Sequence, residues 1–169
     1  LADINFCNHE SNKNNLLDEG IDSEKIFVSG STVFASISNM NILKEKNNTN
    51  NPYILLTLHR PENVDNIRNL ESLLKAIDNL NTSVIFPIHP RTKKNLQGNI
   101  KDYKNITFTE PTDYLNFLKL IRNSIFVISD SGGVQEEAAI LRKPLLIPRK
   151  YTERPELLNI FNLLTPDLK

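Results

Sequence analysis

A single cysteine, Cys7, stands among 169 residues. It excludes an intramolecular disulfide, and beside three scattered histidines it excludes any zinc-ligand spacing. A reducing compartment is the simpler setting for such a chain. Net charge is lacking as well: 20 Lys plus Arg balance 20 Asp plus Glu, so nothing favours nucleic acid or an anionic membrane as partner. No run approaches the roughly 18 continuous apolar residues that span a bilayer, and Leu1-Ala2-Asp3-Ile4-Asn5 lacks the basic and apolar regions of a signal peptide. A Gly-x-Ser-x-Gly elbow is missing too, which excludes that class of serine hydrolase. The expectation is a cytoplasmic protein with no metal, nucleic-acid or membrane partner. The chain opens on Leu rather than Met, and the expectation is a piece that starts inside a longer protein.

What is present is an alternation of apolar runs and helical segments. Before residue 39, Ala2–Phe6 and Lys25–Ser29 read as short strands around a helix near Asn12–Glu19. These residues are too few for an independent core. Asn39 to Asn51 is polar and Asn-rich, with little apolar pattern after Leu43, and reads as a linker. Beyond it, strands are expected at Tyr53–Leu58, Ser83–Ile88, Ile106–Phe108, Ile125–Ser129 and, as the last, Pro144–Ile147. Helices are expected at Asn66–Leu80, Thr92–Leu96, Thr112–Ile121 and Gly133–Leu141. In the first of these helices Ile67, Leu70, Leu73, Leu74 and Ile77 recur at three- and four-residue spacing, one helical face. Continuous apolar strands separated by helices predict an α/β fold, a doubly wound parallel sheet covered on both faces. In such sheets ligands sit outside the carboxyl ends of the strands.

Those ends carry the polar residues: His59-Arg60-Pro61-Glu62-Asn63, His89-Pro90-Arg91, Glu110-Pro111-Thr112, Asp130-Ser131-Gly132-Gly133 and Arg149 onward to Glu156. Asp130 to Glu137 (DSGGVQEE) follows an apolar strand and opens a helix. Gly132 and Gly133 let an anion approach the backbone, and the first helical N–H groups point outward unpaired, reinforced by the helix dipole. Ser131 can donate a hydroxyl bond, and Glu137 can accept from sugar hydroxyls. A phosphorylated sugar or nucleotide is the first ligand expected. Each residue taken alone has a plainer reading: His59 ending a strand, Arg60 and Glu62 forming a solvated pair, Arg154 pairing locally with Glu153 and Glu156, the glycines making a tight turn. Their convergence on one sheet edge favours a site.

His59-Arg60-Pro61-Glu62-Asn63, Asp130 to Glu137 and Thr152-Glu153-Arg154-Pro155-Glu156 together resemble the non-hydrolysing UDP-N-acetylglucosamine 2-epimerases, in that family's order and spacing from about Ala2 to Glu156. The resemblance implies two Rossmann-like domains in a glycosyltransferase-B arrangement. Residues 1–38 would end the first, 39–52 link, and 53–169 form the UDP-binding second domain, cut short at its end. It implies inversion at C2 between UDP-N-acetylglucosamine and UDP-N-acetylmannosamine, by elimination of UDP and re-addition, with no external cofactor. Ser131, Gly132 and Gly133 would hold phosphate oxygens, Arg154 the diphosphate charge, Glu137 the ribose, and Thr112 and Phe117 the uracil. His59 matches the family's essential histidine. Arg60 and His89 match positions that touch a second, activating UDP-N-acetylglucosamine, and a homodimer is implied.

The sequence also departs from the family pattern. The family's first-domain carboxylates, an Asp and two Glu, would lie upstream of Leu1. Gly30-Ser31-Thr32 replaces a Gly-Asn-Thr, Ala35 replaces an acidic residue, and the glycine-bearing loop after Glu156 is replaced by Leu157-Leu158-Asn159-Ile160. The chain alone is therefore expected to bind UDP weakly and to be inactive. A non-catalytic nucleotide-sugar module, a glycosyltransferase of the same architecture, a hydrolysing epimerase and a related uronic-acid epimerase are the rival readings.

Overall fold

The apolar segments beyond residue 52 are short enough for strands and too continuous for one-sided burial, so they assemble where both faces are covered. The computed structural model describes residues 2–44, 51–96 and 103–165. In chain order the elements are β1 (Asn5–Cys7), α1 (Glu10–Asp18), β2 (Ile26–Val28), α2 (Thr32–Asn39), β3 (Ile54–Thr57), α3 (Pro61–Val64), α4 (Ile67–Asp78), β4 (Val84–Pro87), α5 (Pro90–Leu96), β5 (Ile106–Thr109), α6 (Tyr114–Asn123), β6 (Val127–Ser129), α7 (Gly132–Ile140), β7 (Leu145–Ile147) and β8 (Asn162–Leu164).

Among the described residues, six strands form one parallel sheet in the order β5-β4-β3-β6-β7-β8, and β1 pairs with β2 in a separate parallel pair. The chain runs outward from β3 to β5, then crosses back to β6 on the other side of β3. That is the doubly wound order expected. Successive strand residues face opposite sides, and the core divides accordingly. Leu56, Leu58, Phe86 and Ile128 pack with Leu70, Leu74 and Ile77 of α4 on one face. Leu55, Val127, Leu145 and Ile147 pack with Leu118 and Ile121 of α6 and Val134 and Ala138 of α7 on the other.

Helix boundaries follow local chemistry. Asn66 and Asp113 are caps rather than helical residues: Asn66 accepts from the amides of Arg68 and Asn69, and Asp113 from that of Asn116. Each such cap stabilises its helix by about 1 kcal/mol. Four of the five apolar residues expected on the α4 face are buried, and Ile67, in its first turn, is exposed.

Besides the four-residue α3, two elements go beyond the sequence expectations. Pro144–Ile147 does not end the sheet, because β8 pairs beside β7. A three-residue edge strand that buries a polar Asn162 has no periodicity to announce it. The other is α2, whose Thr, Val, Phe and Ile are weak helix formers. It is capped by Ser31, which accepts from the Val33 amide, and it docks on α7. Ile37 and, within the span read as linker, Ile42 are fully buried in the second core cluster. Residues 45–50 of that span lie outside the described residues.

Candidate functional site

A sheet whose chain direction reverses between β3 and β6 must open a crevice there, because the loops leaving these two strands turn to opposite sides. The β3 end delivers Leu58-His59-Arg60 and the β6 end Asp130-Ser131-Gly132. Thr92, buried on α5, donates to the Leu58 carbonyl at 2.6 Å and fixes the first of these ends. A cleft of about 320 Å³ lies over them, lined by His59, His89, Thr112, Phe117, Ser131, Val134 and Glu137 among others. Six of the ten residues singled out from sequence thus share one cavity.

Asp130 organises the floor. It is fully buried, and its carboxylate accepts from the amides of His59 (3.2 Å) and Arg60 (3.0 Å) and from Asn63 Nδ2 (2.9 Å). His59 Nδ1 lies 3.0 Å from Asp130 Oδ1. The carboxylate ties the β3–α3 turn to the end of β6 and orients the imidazole. The signal for it in the sequence is an acid directly ending a buried strand.

Gly132 and Gly133 open α7 in helical conformation rather than forming a turn. The left-handed glycines of the described chain are Gly20 and Gly30. Ser131 makes no capping hydrogen bond, so its hydroxyl does not occupy the first amides of α7. A Cβ added at Gly132 would meet Glu153 Oε2 at 3.6 Å, an ordinary contact. Gly132→Ala should therefore fold normally, gaining up to about 1 kcal/mol of helix propensity. If phosphate packs on this backbone, the same variant should bind a phosphate-bearing ligand at least ~10-fold more weakly, a loss of about 1.4 kcal/mol. Calorimetric titration checks this, and unchanged affinity would remove phosphate from Gly132.

Glu137 is buried at the cleft wall, and that burial pushes its carboxyl up; hydrogen bonding from Tyr114 opposes the shift and the neighbouring Glu136 charge adds to it. The Tyr114 phenol is itself pushed up to about 12, first by burial and then by the Glu137 charge. A desolvated acceptor beside a phenol suits recognition of paired hydroxyls.

The arginines depart from the local pairings. Arg60 reaches past its neighbour Glu62 to Glu153 (2.8 Å), Glu153 also holds Arg149 (2.7 Å), and Glu62 lies 3.5 Å from Arg149. Arg149, foremost by its hydrogen bond, holds Glu153 down at about 2. Arg154 places Nε 2.5 Å from Glu136 Oε1, an ion pair without hydrogen-bond alignment, and Glu136 in turn accepts from Ser31 at 2.5 Å. Thr152 bonds Gln135. Neither Arg60 nor Arg154 lines the cleft, and both have their charges engaged by carboxylates. Arg149, buried at the end of β7, had been given no role. Among the described residues no three His, Cys, Asp or Glu side chains converge as metal ligands would, and no helix is long and apolar enough to cross a membrane.

The family model described as UDP-N-acetylglucosamine 2-epimerase matches residues 1–164. The chain belongs to this family. It is 42% identical to the UDP-N-acetylglucosamine 2-epimerase of Methanocaldococcus jannaschii over 97% of its own length and 50% of that protein's, and 41% identical to the Methanococcus maripaludis enzyme of the same name over 95% and 49%. The crystal structure of the M. jannaschii epimerase in complex with UDP-GlcNAc and UDP superimposes with a TM-score of 0.86 at 42% identity, covering 97% of this chain and 50% of that one. The Neisseria meningitidis epimerase bound to UDP-GlcNAc gives 0.77 at 34% identity, covering 93% and 47%. The chain spans about half the length of the relatives it matches.

Proposed function

We propose that this chain forms the nucleotide-binding half of an enzyme that interconverts UDP-N-acetylglucosamine and UDP-N-acetylmannosamine by inversion at C2. The observation that carries the reading is the cleft at the β3/β6 crossing, where His59, Ser131, Glu137 and the start of α7 meet. Two family relatives hold UDP-GlcNAc in their crystal structures. Residues 1–38 close a first domain, 39–52 lead across, and 53–169 form the second domain of a glycosyltransferase-B-type pair. The separate β1–β2 sheet supports this division, as do its exposed Phe6 and Phe27 rings, 5.9 Å apart.

Breaking the anomeric C–O bond sends the electron pair to the diphosphate. The α7 amides, the Ser131 hydroxyl and Arg154 then stabilise that charge, a term that falls on the transition state rather than the bound substrate. Glu137 holds the ribose hydroxyls, and Thr112 and Phe117 hold the uracil. His59 exchanges a proton or orients the departing phosphate. The C2 proton passes to a carboxylate of the first domain. A second UDP-N-acetylglucosamine would activate the enzyme through Arg60 and His89, and the whole enzyme works as a cytoplasmic homodimer.

Titration of the chain with nucleotides tests the reading: UDP should bind at least ~10-fold tighter than ADP, about 1.4 kcal/mol, and equal binding would reject a uracil pocket. Glu137 supplies a sharper check. A carboxyl raised in the folded state binds protons more readily there than in the unfolded chain. The contribution of Glu137 to stability is therefore greatest at low pH and is lost as pH rises through the raised value. Glu137→Gln should raise the neutral-pH melting temperature by about 2–4 °C, corresponding to about 1 kcal/mol. It should also weaken UDP binding at least ~10-fold by removing a charged acceptor. A melting rise with unchanged affinity would place the ribose elsewhere.

A further inference from the structure

Two histidines face the same cleft, His59 and His89, with ring centroids 5.7 Å apart and planes tilted by 44°. Each has its Nδ1 engaged, and the two partners make opposite demands. Asp130 sits under His59 with the amides of His59 and Arg60 and the Asn63 side-chain amide already directed at its oxygens. A group so surrounded acts as an acceptor, and His59 Nδ1 stands 3.0 Å from it, an ion-pair distance without hydrogen-bond alignment, where a proton on that nitrogen avoids setting two lone pairs against each other. His89 is held the other way: its Nδ1 accepts the backbone N–H of Arg91 at 3.2 Å, which requires a bare lone pair there. Arg91 is steadied for this by a two-pronged pair with Asp65, at 2.9 and 2.6 Å.

We infer that Asp130 and the Arg91 amide set the two neutral imidazoles in opposite tautomers, so that the cleft presents a lone pair at His59 Nε2 and an N–H at His89 Nε2. In a neutral imidazole the hydrogen bond made by one nitrogen decides what the other offers. A ligand matching both nitrogens supplies a hydroxyl hydrogen to His59 and an anionic oxygen to His89, as a hydroxyl-bearing phosphate ester does. This ligand assignment rests on the UDP-sugar reading; the tautomers themselves do not. Asp130 is then a positioning residue acting through His59.

The test is a long-range nitrogen–proton correlation spectrum of the uniformly ¹⁵N-labelled chain at about pH 8, above the ordinary imidazole value of about 6.5. The chain has three histidines, and loss of one set of signals in His59→Gln and in His89→Gln assigns them. His59 is expected in the Nδ1–H pattern and His89 in the Nε2–H pattern. The same pattern for both rings would overturn the inference.

Asp130→Asn provides the second arm. An asparagine keeps its oxygen on the backbone amides and turns its NH₂ toward Nδ1, so His59 should switch to Nε2–H while His89 stays unchanged. Failure of His59 to switch in a folded variant removes Asp130 from the role. If the variant does not fold, the wild-type spectrum alone decides. Titration with UDP separates the two layers. Opposite tautomers without UDP binding would reject the ligand reading and leave the pair standing. UDP binding with matching tautomers would do the reverse.

Discussion

Asp130→Ala is expected to destabilise the chain by about 3–5 kcal/mol, the cost of leaving a buried polar network without its central partner. At this chain length that lowers the melting temperature by roughly 6–20 °C. The magnitude follows from what the carboxylate holds. It accepts from two backbone amides and the Asn63 amide, with the His59 ring at its edge, and it is fully buried. The alanine variant leaves donors of the β3–α3 turn unpaired where water does not replace the carboxylate. Asp130→Asn retains one acceptor oxygen and should lose markedly less. A thermal melt of the three proteins in one buffer checks the ranking. Equal melting of the wild type and the alanine variant would show that solvent satisfies these donors and that Asp130 is dispensable to the fold.

His59→Ala is expected to act on turnover rather than on stability. The Asp130 contacts from residue 59 include its backbone amide, which alanine retains. The Arg60 and Asn63 bonds do not pass through the imidazole. The variant should therefore fold. In an enzyme carrying both domains, loss of a positioned proton-exchanging group should reduce kcat by about 10²–10⁴-fold. UDP affinity, which the proposed site assigns to the α7 amides, Ser131 and Glu137, should stay within about threefold, a change under ~1 kcal/mol. A proton NMR time course with UDP-N-acetylglucosamine in heavy water follows loss of the C2 proton and growth of the manno anomeric signal. Turnover surviving within a few-fold would return His59 to its plainer role at the end of a strand.

The sheet and its helices were legible because their signals are local and repeated. Leu70, Leu73, Leu74 and Ile77 announce a helical face wherever they sit, and Ile54-Leu55-Leu56 and Val127-Ile128 announce buried strands. Parallel strands place all their carboxyl ends on one edge, which is why His59, His89, Thr112 and Ser131 line one cleft. The strand β8 escaped because three residues at a sheet edge carry no period, and α2 because its docking on α7 outweighs its weak propensity.

The charges were decided by the tertiary structure alone. Arg60 pairs with Glu153, 93 residues away, rather than with Glu62 beside it, and Arg154 turns from Glu153 and Glu156 to Glu136 on α7. Arg60 and Arg154 do not pair with the carboxylates nearest them in sequence, whereas strand ends far apart in sequence are brought side by side. The sequence by itself determined which chemical groups gather at the open edge of the sheet, since strand direction alone puts them there. Only the folded chain decided which group holds which, because an ion pair depends on distances between loops that no local pattern encodes.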